Sequence, residues 1–380
     1  MEFRTRVVHG GDHPRDASGA VSTPIHLAST FAHPGVGEST GYDYARTASP
    51  TRQHLERLVA DLEFGVDALA VSTGMAAISL VCELFGPGDH IIHSDDLYGG
   101  SIRYFRTVLA NHGVTLSAVD TNDFDALSAL ITPATKAIFV ETPTNPMMKV
   151  TDVAAVASLA KARGLLTIVD NTFLSPYFMN PLRLGADIVI HSGTKYLGGH
   201  NDSLAGYVVT AGEGLAEQLR KTAGSVGYTL GAFDCWLQIR GIKTLALRME
   251  AASDNALAIA QWLRTQSKVT AVHYVGLTDH PQYELSKRQA RGFGSMVTFE
   301  TDSEETAKAL LNRVKVAQYA ESLGGVETLI TYPYTQTHAD VPEEERRSRG
   351  ITERLLRMSV GIEDRADLIA DLAQAFERAG

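Results

Sequence analysis

Short apolar segments alternate with segments of helical period between residues 51 and 210, and this alternation constrains the fold more than any other feature of the chain. Residues 68–72 and 188–190 have the bounded apolar pattern of buried strands. Residues 51–62 have the apolar spacing of a helix. Strands joined by helices predict a mostly parallel sheet with both faces covered. We therefore predict an α/β domain over residues 51–238.

The segments before and after this region have a different texture. Residues 1–50 are rich in Gly, His, Ser, Thr and Pro and show little periodicity, so we expect an extended arm. An ordered arm of this length needs a surface to lie on, and a neighbouring subunit is one candidate. Residues 239–380 combine a long helical pattern over 242–264 with strand patterns at 296–299 and 354–359. They predict a second, smaller α+β domain.

Composition argues against several classes of protein. A net charge of −10 is unfavourable for a surface that binds nucleic acid. No apolar run approaches the length of a membrane span, and the first residues contain no apolar signal region. Cys82 and Cys235 have no CxxC partner, which favours a reducing compartment over a disulfide framework or a cysteine zinc site. We predict a cytoplasmic protein that binds neither nucleic acid, membrane nor metal.

One lysine, Lys195, stands where a buried strand gives way to a polar loop. The apolar run at residues 188–190 is followed by Ser192-Gly193-Thr194-Lys195. Because burying a charged amine is costly, a dry pocket lowers the pKa of a lysine, and the neutral amine can form a Schiff base with a carbonyl. We hypothesise that Lys195 binds pyridoxal 5'-phosphate (PLP) in this way. The alternative is a solvated loop lysine.

A single aspartate supports this hypothesis, because Asp170 ends the strand pattern at residues 166–169. Ligands of open parallel sheets bind at the carboxyl ends of the strands, so Asp170 and Lys195 are expected at the same edge. PLP works as an electron sink only while its ring nitrogen is protonated, and a buried carboxylate against that nitrogen maintains the protonation. For a lone aspartate, a helix cap or a turn is the alternative role.

The phosphate of such a cofactor needs hydrogen-bond donors, and the turn at Thr73-Gly74-Met75 can supply them. Glycine permits close approach of the backbone, and the free N–H groups at the start of a helix bind anions. The hydroxyls of Ser192 and Thr194 could add to this site, and Tyr98 could stack on a pyridine ring. A tight strand-to-helix turn would explain the small residues equally well. Dinucleotide and P-loop sites have no support, because neither GxGxxG nor GxxxxGK[ST] occurs.

Several segments, in order along nearly the whole chain, resemble the Cys/Met-metabolism PLP enzymes. That family includes cystathionine γ-synthase, cystathionine γ- and β-lyases, O-acylhomoserine thiol-lyases and methionine γ-lyase. The segments are Tyr42-Asp43-Tyr44-Ala45-Arg46, Pro50-Thr51-Arg52, Thr73-Gly74-Met75-Ala76-Ala77, Asp95-Asp96-Leu97-Tyr98-Gly99-Gly100, Glu141-Thr142-Pro143-Thr144-Asn145-Pro146, Val169-Asp170-Asn171-Thr172-Phe173, Ser192-Gly193-Thr194-Lys195-Tyr196 and Ala320-Glu321-Ser322-Leu323-Gly324-Gly325. The resemblance implies the type I PLP fold of aspartate aminotransferase, and a homotetramer with shared active sites.

The resemblance also implies roles for individual residues. Lys195 binds the cofactor and then moves protons, Asp170 pairs with the ring nitrogen, and Tyr98 stacks on the ring and takes part in proton transfer. The residues implied to complete the cofactor site are Gly74, Met75, Ser192 and Thr194 at the phosphate, Asn145 near the ring hydroxyl, and Tyr44 and Arg46 at the phosphate of the neighbouring subunit. The residues implied to bind the substrate are Glu321, Ser322 and Arg357, whose guanidinium suits bidentate binding of the α-carboxylate.

Features inside and outside the shared motifs favour one branch of the family. Methionine γ-lyases carry a cysteine where this chain has Gly100, which argues against that activity, and Glu321 stands where γ-synthases and γ-lyases usually have glutamate. Residues 37–41, 196–202 and 332–340 most resemble bacterial γ-synthases and acylhomoserine thiol-lyases. We therefore expect a transsulfuration enzyme that joins an O-acylhomoserine and cysteine to give cystathionine, or the related thiol-lyase. Cleavage of cystathionine by a γ- or β-lyase is the alternative, because the early steps are shared.

Two positions depart from the family pattern. Ser49 stands before Pro50-Thr51-Arg52 where asparagine is usual, which predicts a looser anchor for the arm, and Asp340 stands where many members have serine or glycine. Two functions of other classes are alternatives: a PLP-fold protein that binds without catalysis, and a metal-dependent hydrolase. The first is disfavoured by the presence of Lys195, Asp170, Tyr98 and Arg357.

Overall fold

A computed structural model describes residues 1–11, 19–336 and 342–377 of the chain. The α-helices of this part are α1 (Phe3–His9), α2 (Pro50–Glu63), α3 (Gly74–Cys82), α4 (Gly99–Tyr104), α5 (Phe124–Ala129), α6 (Val153–Ala162), α7 (Ser175–Phe178), α8 (Glu213–Val226), α9 (Ala232–Ile242), α10 (Leu245–Leu263), α11 (Tyr283–Gln289), α12 (Glu304–Leu311), α13 (Glu343–Ser348) and α14 (Arg365–Glu377). The strands are β1 (Asp67–Val71), β2 (His90–Ser94), β3 (Thr115–Val119), β4 (Thr135–Glu141), β5 (Leu166–Asp170), β6 (Ile188–Ser192), β7 (Gly206–Thr210), β8 (Val269–His273), β9 (Met296–Thr301), β10 (Gln318–Tyr319), β11 (Leu329–Thr331) and β12 (Leu355–Ser359).

In the described residues, the larger sheet has seven strands in the order β1-β7-β6-β5-β4-β2-β3. Strand β7 runs antiparallel to both of its neighbours, β1 and β6. The other neighbouring strands, from β6 through β5, β4 and β2 to β3, pair in parallel. Both faces are covered: Ile168 packs in one apolar cluster with residues of α3 and α8, and Val169 packs in another with residues of α2 and α6. The predicted, mostly parallel α/β sheet is confirmed. Strands β4, β5 and β6 end at one edge with Glu141, Asp170 and Ser192.

The smaller sheet has five strands within the described residues, in the order β10-β11-β12-β9-β8. Its central strand, β12, carries Arg357, which is paired with Thr298 of β9 and Thr331 of β11. The predicted boundary at residue 238 falls inside α9, whose buried residues Cys235 and Ile239 belong to a core cluster of the larger sheet. The exact limits of the domains therefore stay a prediction.

The N-terminal segment contains a helix that the sequence did not predict. In α1, Val7 is buried in the same cluster as residues of α2, and Arg4 forms an ion pair of 2.5 Å with Glu250. Seven residues offer too little periodicity for a pattern to be recognised, so this helix depends on the tertiary contacts that it makes. Among the described residues from 19 to 49, the chain is irregular apart from a bridge between Thr30 and Tyr44.

Two further predictions concern single residues. Ser49 caps α2, because its hydroxyl accepts a hydrogen bond of 3.4 Å from the backbone N–H of Arg52. Although serine stands where asparagine is usual, the turn that leads into α2 is therefore still hydrogen-bonded. Asp340 lies outside the described residues. None of the helices in the described ranges is long and apolar enough to cross a membrane.

Candidate active site

A cavity of about 310 Å³ lies where the strand ends of the larger sheet meet the smaller domain. Most of the predicted site residues line it: Gly74, Met75, Tyr98, Asn145, Asp170, Ser192, Thr194, Lys195, Glu321, Ser322 and Arg357. Residues that are far apart in the sequence thus meet around one space. Its size falls in the range of natural sites for small ligands.

The amine of Lys195 faces this cavity and is held by the hydroxyl of Ser322. Nζ donates a hydrogen bond of 2.7 Å to Oγ of Ser322. Burial, and then the positive charge of Arg357, lowers the pKa of Lys195 to about 8, although the charge of Glu321 opposes this effect. The neutral fraction of the amine near pH 7 is therefore much larger than that of an ordinary lysine, as a nucleophilic lysine requires.

Ser322 connects this lysine to Arg357. Its φ of 99° lies in the left-handed region, which is strained for any residue except glycine. Its carbonyl accepts a hydrogen bond of 3.2 Å from Nη2 of Arg357, and Nη1 of the same guanidinium donates to Oδ1 of Asn145 at 2.8 Å. Burial lowers the pKa of Arg357 to about 10, so the side chain is still a cation at neutral pH. The cavity therefore contains a fixed positive charge opposite the strand ends.

Asp170 is oriented by Thr172, a residue to which the sequence analysis gave no role. The backbone N–H and the hydroxyl of Thr172 donate to Oδ1 of Asp170 at 3.0 and 2.6 Å. The same hydroxyl accepts a hydrogen bond of 2.9 Å from the backbone N–H of Ser192. Both hydrogen bonds that the structure shows for this carboxylate end on Oδ1, so Oδ2 is available to a group in the cavity. The ends of β5 and β6 are thereby joined on the cavity side.

Glu141 is a second buried carboxyl group at this site, and the sequence analysis missed its role. It lines the cavity, is paired with Asp170 across β4 and β5, and accepts a hydrogen bond of 2.8 Å from the backbone N–H of Tyr98. Burial, and then the charge of Asp170, raises the pKa of Glu141 well above its usual value. The signal was available, because Glu141 ends its strand as Asp170 does.

The predicted phosphate donors lie at the start of α3. Thr73 caps this helix by accepting a hydrogen bond of 3.0 Å from the backbone N–H of Ala76. Gly74 and Met75 line the cavity, and their N–H groups have no partner within the helix because they belong to its first turn. A Cβ atom on Gly74 would lie 2.9 Å from Cβ of Ser192. Only glycine therefore allows the helix start and the Ser192 hydroxyl to approach each other. Small donors crowded around a helix start fit a phosphate group.

Tyr98 follows β2 and is 41% exposed, although its backbone is anchored by Glu141. A Cβ atom on Gly100 would lie 2.4 Å from Cε1 of the Tyr98 ring. Any larger residue at position 100, including the cysteine of methionine γ-lyases, would therefore displace this ring. The structure gives a physical reason for the link between Gly100 and the position of Tyr98.

Two predicted cofactor residues, Tyr44 and Arg46, do not line the cavity of their own chain. Tyr44 is 49% exposed, the Arg46 guanidinium lies 5.6 Å from the centre of its ring, and Arg46 donates a hydrogen bond to the carbonyl of Gly224. Their predicted role in a neighbouring subunit stays a prediction. A wider cavity of about 750 Å³ adjoins the first, and both are lined by Thr73, Thr194, Leu204, Glu321 and Ser322.

Comparison with known proteins decides the family. A model of the Cys/Met metabolism PLP-dependent enzymes matches residues 4–377. The chain belongs to this family. It is 50% identical over 377 residues to a cystathionine gamma-lyase of Bacillus subtilis (strain 168), a match that covers 99% of this chain and 100% of that protein. It is 48% identical over 376 residues to a cystathionine gamma-synthase/O-acetylhomoserine (thiol)-lyase of the same organism, covering 99% and 96%.

A solved structure of a relative has the same fold. The crystal structure of cystathionine gamma-lyase from Lactobacillus plantarum complexed with L-serine superimposes with a TM-score of 0.97, at 45% identity and covering 99% of each chain. The predicted fold class of this Cys/Met metabolism enzyme is therefore confirmed, and so are its PLP cofactor and its membership among PLP-dependent transferases and lyases. The residues fit the cofactor: Lys195 offers an amine, Asp170 a carboxylate oxygen, and the start of α3 an anion site. The roles of the individual residues stay predictions.

Proposed function

We propose that this Cys/Met metabolism enzyme makes or breaks the bond between sulfur and the γ-carbon of an amino acid, with cystathionine as product or substrate. The observation that carries this proposal is the single cavity in which Lys195, Asp170 and Arg357 meet. A neutral amine, a buried carboxylate and a buried guanidinium are what a PLP enzyme needs for covalent binding, for the ring nitrogen and for a substrate carboxylate.

Each of these groups would act on a defined part of the cofactor or the substrate. PLP, when bound, supplies an electron-withdrawing ring that stabilises negative charge beside the amino group of an amino acid. Oδ2 of Asp170 would bind the ring nitrogen, and the α3 start with the Ser192 and Thr194 hydroxyls would bind the phosphate. Arg357 would orient the substrate through its α-carboxylate.

Lys195 is the group that we expect to move protons. Once the amine of Lys195 no longer holds the cofactor, its neutral Nζ can accept a proton from the α-carbon of the substrate and donate it at another carbon or at a leaving group. The Ser322 hydroxyl, 2.7 Å from Nζ, restricts the amine to this part of the cavity. Lys195→Ala should therefore abolish both turnover and the visible absorbance of the bound cofactor. Full activity in this variant would refute the proposal.

Formation and cleavage of cystathionine are separated by one experiment. The protein is mixed either with cystathionine alone or with an O-acylhomoserine and cysteine. The release of a 2-oxo acid and the appearance of cystathionine are then followed in parallel. The synthase direction predicts cystathionine in the second mixture. The lyase direction is the second candidate, because a relative of 50% identity is named cystathionine gamma-lyase, and it predicts a 2-oxo acid and ammonia in the first mixture.

We also propose a homotetramer in which each active site is completed by a neighbouring chain. The exposed ring of Tyr44 and the adjacent Arg46 support this proposal, because they lie outside the cavity of their own chain. A monomer that bound PLP with normal affinity would contradict it.

A reducing compartment such as the cytoplasm is consistent with Cys82 and Cys235, which are both free and buried.

A further inference from the structure

A cluster of buried polar side chains lies behind the sheet edge that carries the cofactor site. It consists of Glu63, Asn171, Asn180 and His191, and we call it the Glu63 cluster. The side chains of Glu63 and His191 are 0% and 1% exposed. Oε1 of Glu63 accepts hydrogen bonds from Nε2 of His191 at 2.6 Å and from Nδ2 of Asn171 at 3.1 Å. Oε2 accepts a hydrogen bond of 3.3 Å from Nδ2 of Asn180.

The partners of Glu63 are direct neighbours, in the chain, of residues that line the cavity. Asn171 follows Asp170, and His191 precedes Ser192. Because side chains alternate along a strand, His191 lies on the opposite face of the sheet from Ser192. This is the face of Val189, which packs in the core cluster with α2. Glu63 therefore contacts the cofactor-binding strands from behind.

The ends of β5 and β6 are thus joined on both faces of the sheet. On the cavity side, the Thr172 hydroxyl connects Asp170 to the backbone of Ser192. On the rear side, Glu63 connects the two residues beside them. We propose that Glu63 is a positioning residue that fixes Asp170 and Ser192 through Asn171 and His191, and thereby fixes the orientation of bound PLP. This inference rests on the PLP site of the proposed function.

The unpaired atoms of the cluster argue against a purely structural role. In the described part of the chain, Nδ1 of His191 and Oδ1 of Asn171 are buried without a hydrogen-bond partner. Such atoms are costly, and apolar side chains of similar shape would pack with less cost. Among the described residues, the hydrogen bond to Glu63 is the one that orients the His191 ring. Asn171 has a further partner, because its Nδ2 also donates to the carbonyl of Met179 at 2.9 Å.

The charge of His191 acts on Asp170 and supports the same positioning role as the hydrogen bonds of the cluster. Burial raises the pKa of Asp170, whereas the hydrogen bonds from Thr172 and the charge of His191 lower it. The contacts of Asp170 with Thr172 and His191 therefore favour an ionised carboxylate, which is the form that the ring nitrogen of PLP requires.

The test compares two substitutions of His191 in the full-length holoenzyme. His191→Leu removes the hydrogen bond to Glu63, whereas His191→Gln keeps an N–H donor. The readouts are the dissociation constant of PLP and the visible circular dichroism of the bound cofactor, which reports its orientation. By analogy with residues that orient metal ligands, we expect His191→Leu to weaken PLP binding about 10- to 100-fold and to change the dichroism. His191→Gln should restore most of both.

A control pair of the same chemistry is available in the smaller sheet, where Nε2 of His273 bonds to Oε1 of Glu300 at 3.2 Å and the two side chains are 28% and 19% exposed. His273→Leu removes a histidine–glutamate pair that does not line the cavity, and it should leave the PLP affinity and the dichroism unchanged. Glu63→Gln, which keeps the volume of the side chain, is the second variant should His191→Leu fail to fold. We expect it to weaken PLP binding and alter the dichroism as well.

The outcomes separate this inference from the proposed function. Wild-type affinity and dichroism in both His191→Leu and Glu63→Gln would overturn the positioning role alone. An equal loss in His273→Leu would also overturn it, because the effect would then be general destabilisation. A wild-type protein without cofactor absorbance would refute the proposed function and the inference with it.

Discussion

The amine of Lys195 gives the most direct quantitative prediction about this enzyme. Burial and the charge of Arg357 lower its pKa from 10.5 to about 8. At pH 7, a pKa of about 8 makes about 9% of the amine neutral, whereas a pKa of 10.5 leaves about 0.03% neutral. Because only the neutral amine attacks an aldehyde, Lys195 should react with PLP about 300 times faster than an ordinary lysine of equal access and intrinsic nucleophilicity.

The assay measures how fast apoprotein, prepared by removing the cofactor, regains visible absorbance after mixing with PLP between about pH 6 and pH 10. Protonation blocks the amine below its pKa, so the rate should rise with pH and level off above about 8. The same reaction with N-acetyl-lysine in solution, divided by the neutral fraction of its own amine, corrects for the ionisation of PLP itself. After this correction, the inflection belongs to the protein.

Arg357→Met tests the cause of the shift. This variant removes the positive charge that makes the second contribution to the lowered pKa of Lys195, and it keeps Lys195 buried. The inflection should therefore move part of the way back toward that of an ordinary lysine. Arg354→Met is the matched control, because Arg354 lies just before the same strand and its side chain is 43% exposed. A wild-type rate that still rises at about pH 10 without levelling off, or equal effects of the two variants, would refute the electrostatic argument.

Three further substitutions test other parts of the site. Asp170→Asn should still bind PLP but lower kcat at least about 100-fold, because an amide cannot hold the ring nitrogen protonated; unchanged kcat in steady-state assays would contradict this role. Glu141→Gln should keep kcat within about twofold, since burial raises the pKa of Glu141 and the amide resembles the protonated acid, whereas Glu141→Ala should lower kcat about tenfold by releasing the Tyr98 backbone. Arg46→Ala should raise the dissociation constant of PLP at least about tenfold through the subunit interface, as measured by equilibrium dialysis.

The central pair of the site was predictable from sequence for a physical reason. Parallel strands bring their carboxyl ends to one edge, so a residue that ends one strand meets the loop that follows the next. Asp170 ends β5, and Lys195 follows β6, its neighbour in the sheet. The same rule applies to Glu141 at the end of β4, and its role was missed because the resemblance attached none to it.

The Glu63 cluster and α1 were not predictable in the same way. Glu63 is separated from Asn171, Asn180 and His191 by 108, 117 and 128 positions, so no local spacing connects them. Their contact arises from the packing of α2 on the rear face of the sheet. Likewise, α1 has seven residues and depends on contacts such as the pair of Arg4 with Glu250. Tertiary packing, rather than local pattern, determines both features.

The two buried carboxyl groups of the cavity explain how this site presents one negative charge to the cofactor. Glu141 and Asp170 are paired on adjacent strands, and two carboxylates so close in a buried space cannot both ionise at low cost. Asp170 accepts two hydrogen bonds from Thr172 and lies near the charge of His191, whereas Glu141 accepts one from the Tyr98 backbone. These contacts favour the charge on Asp170 and the proton on Glu141. A neutral Glu141 can then anchor Tyr98 without competing with Asp170 for the ring nitrogen.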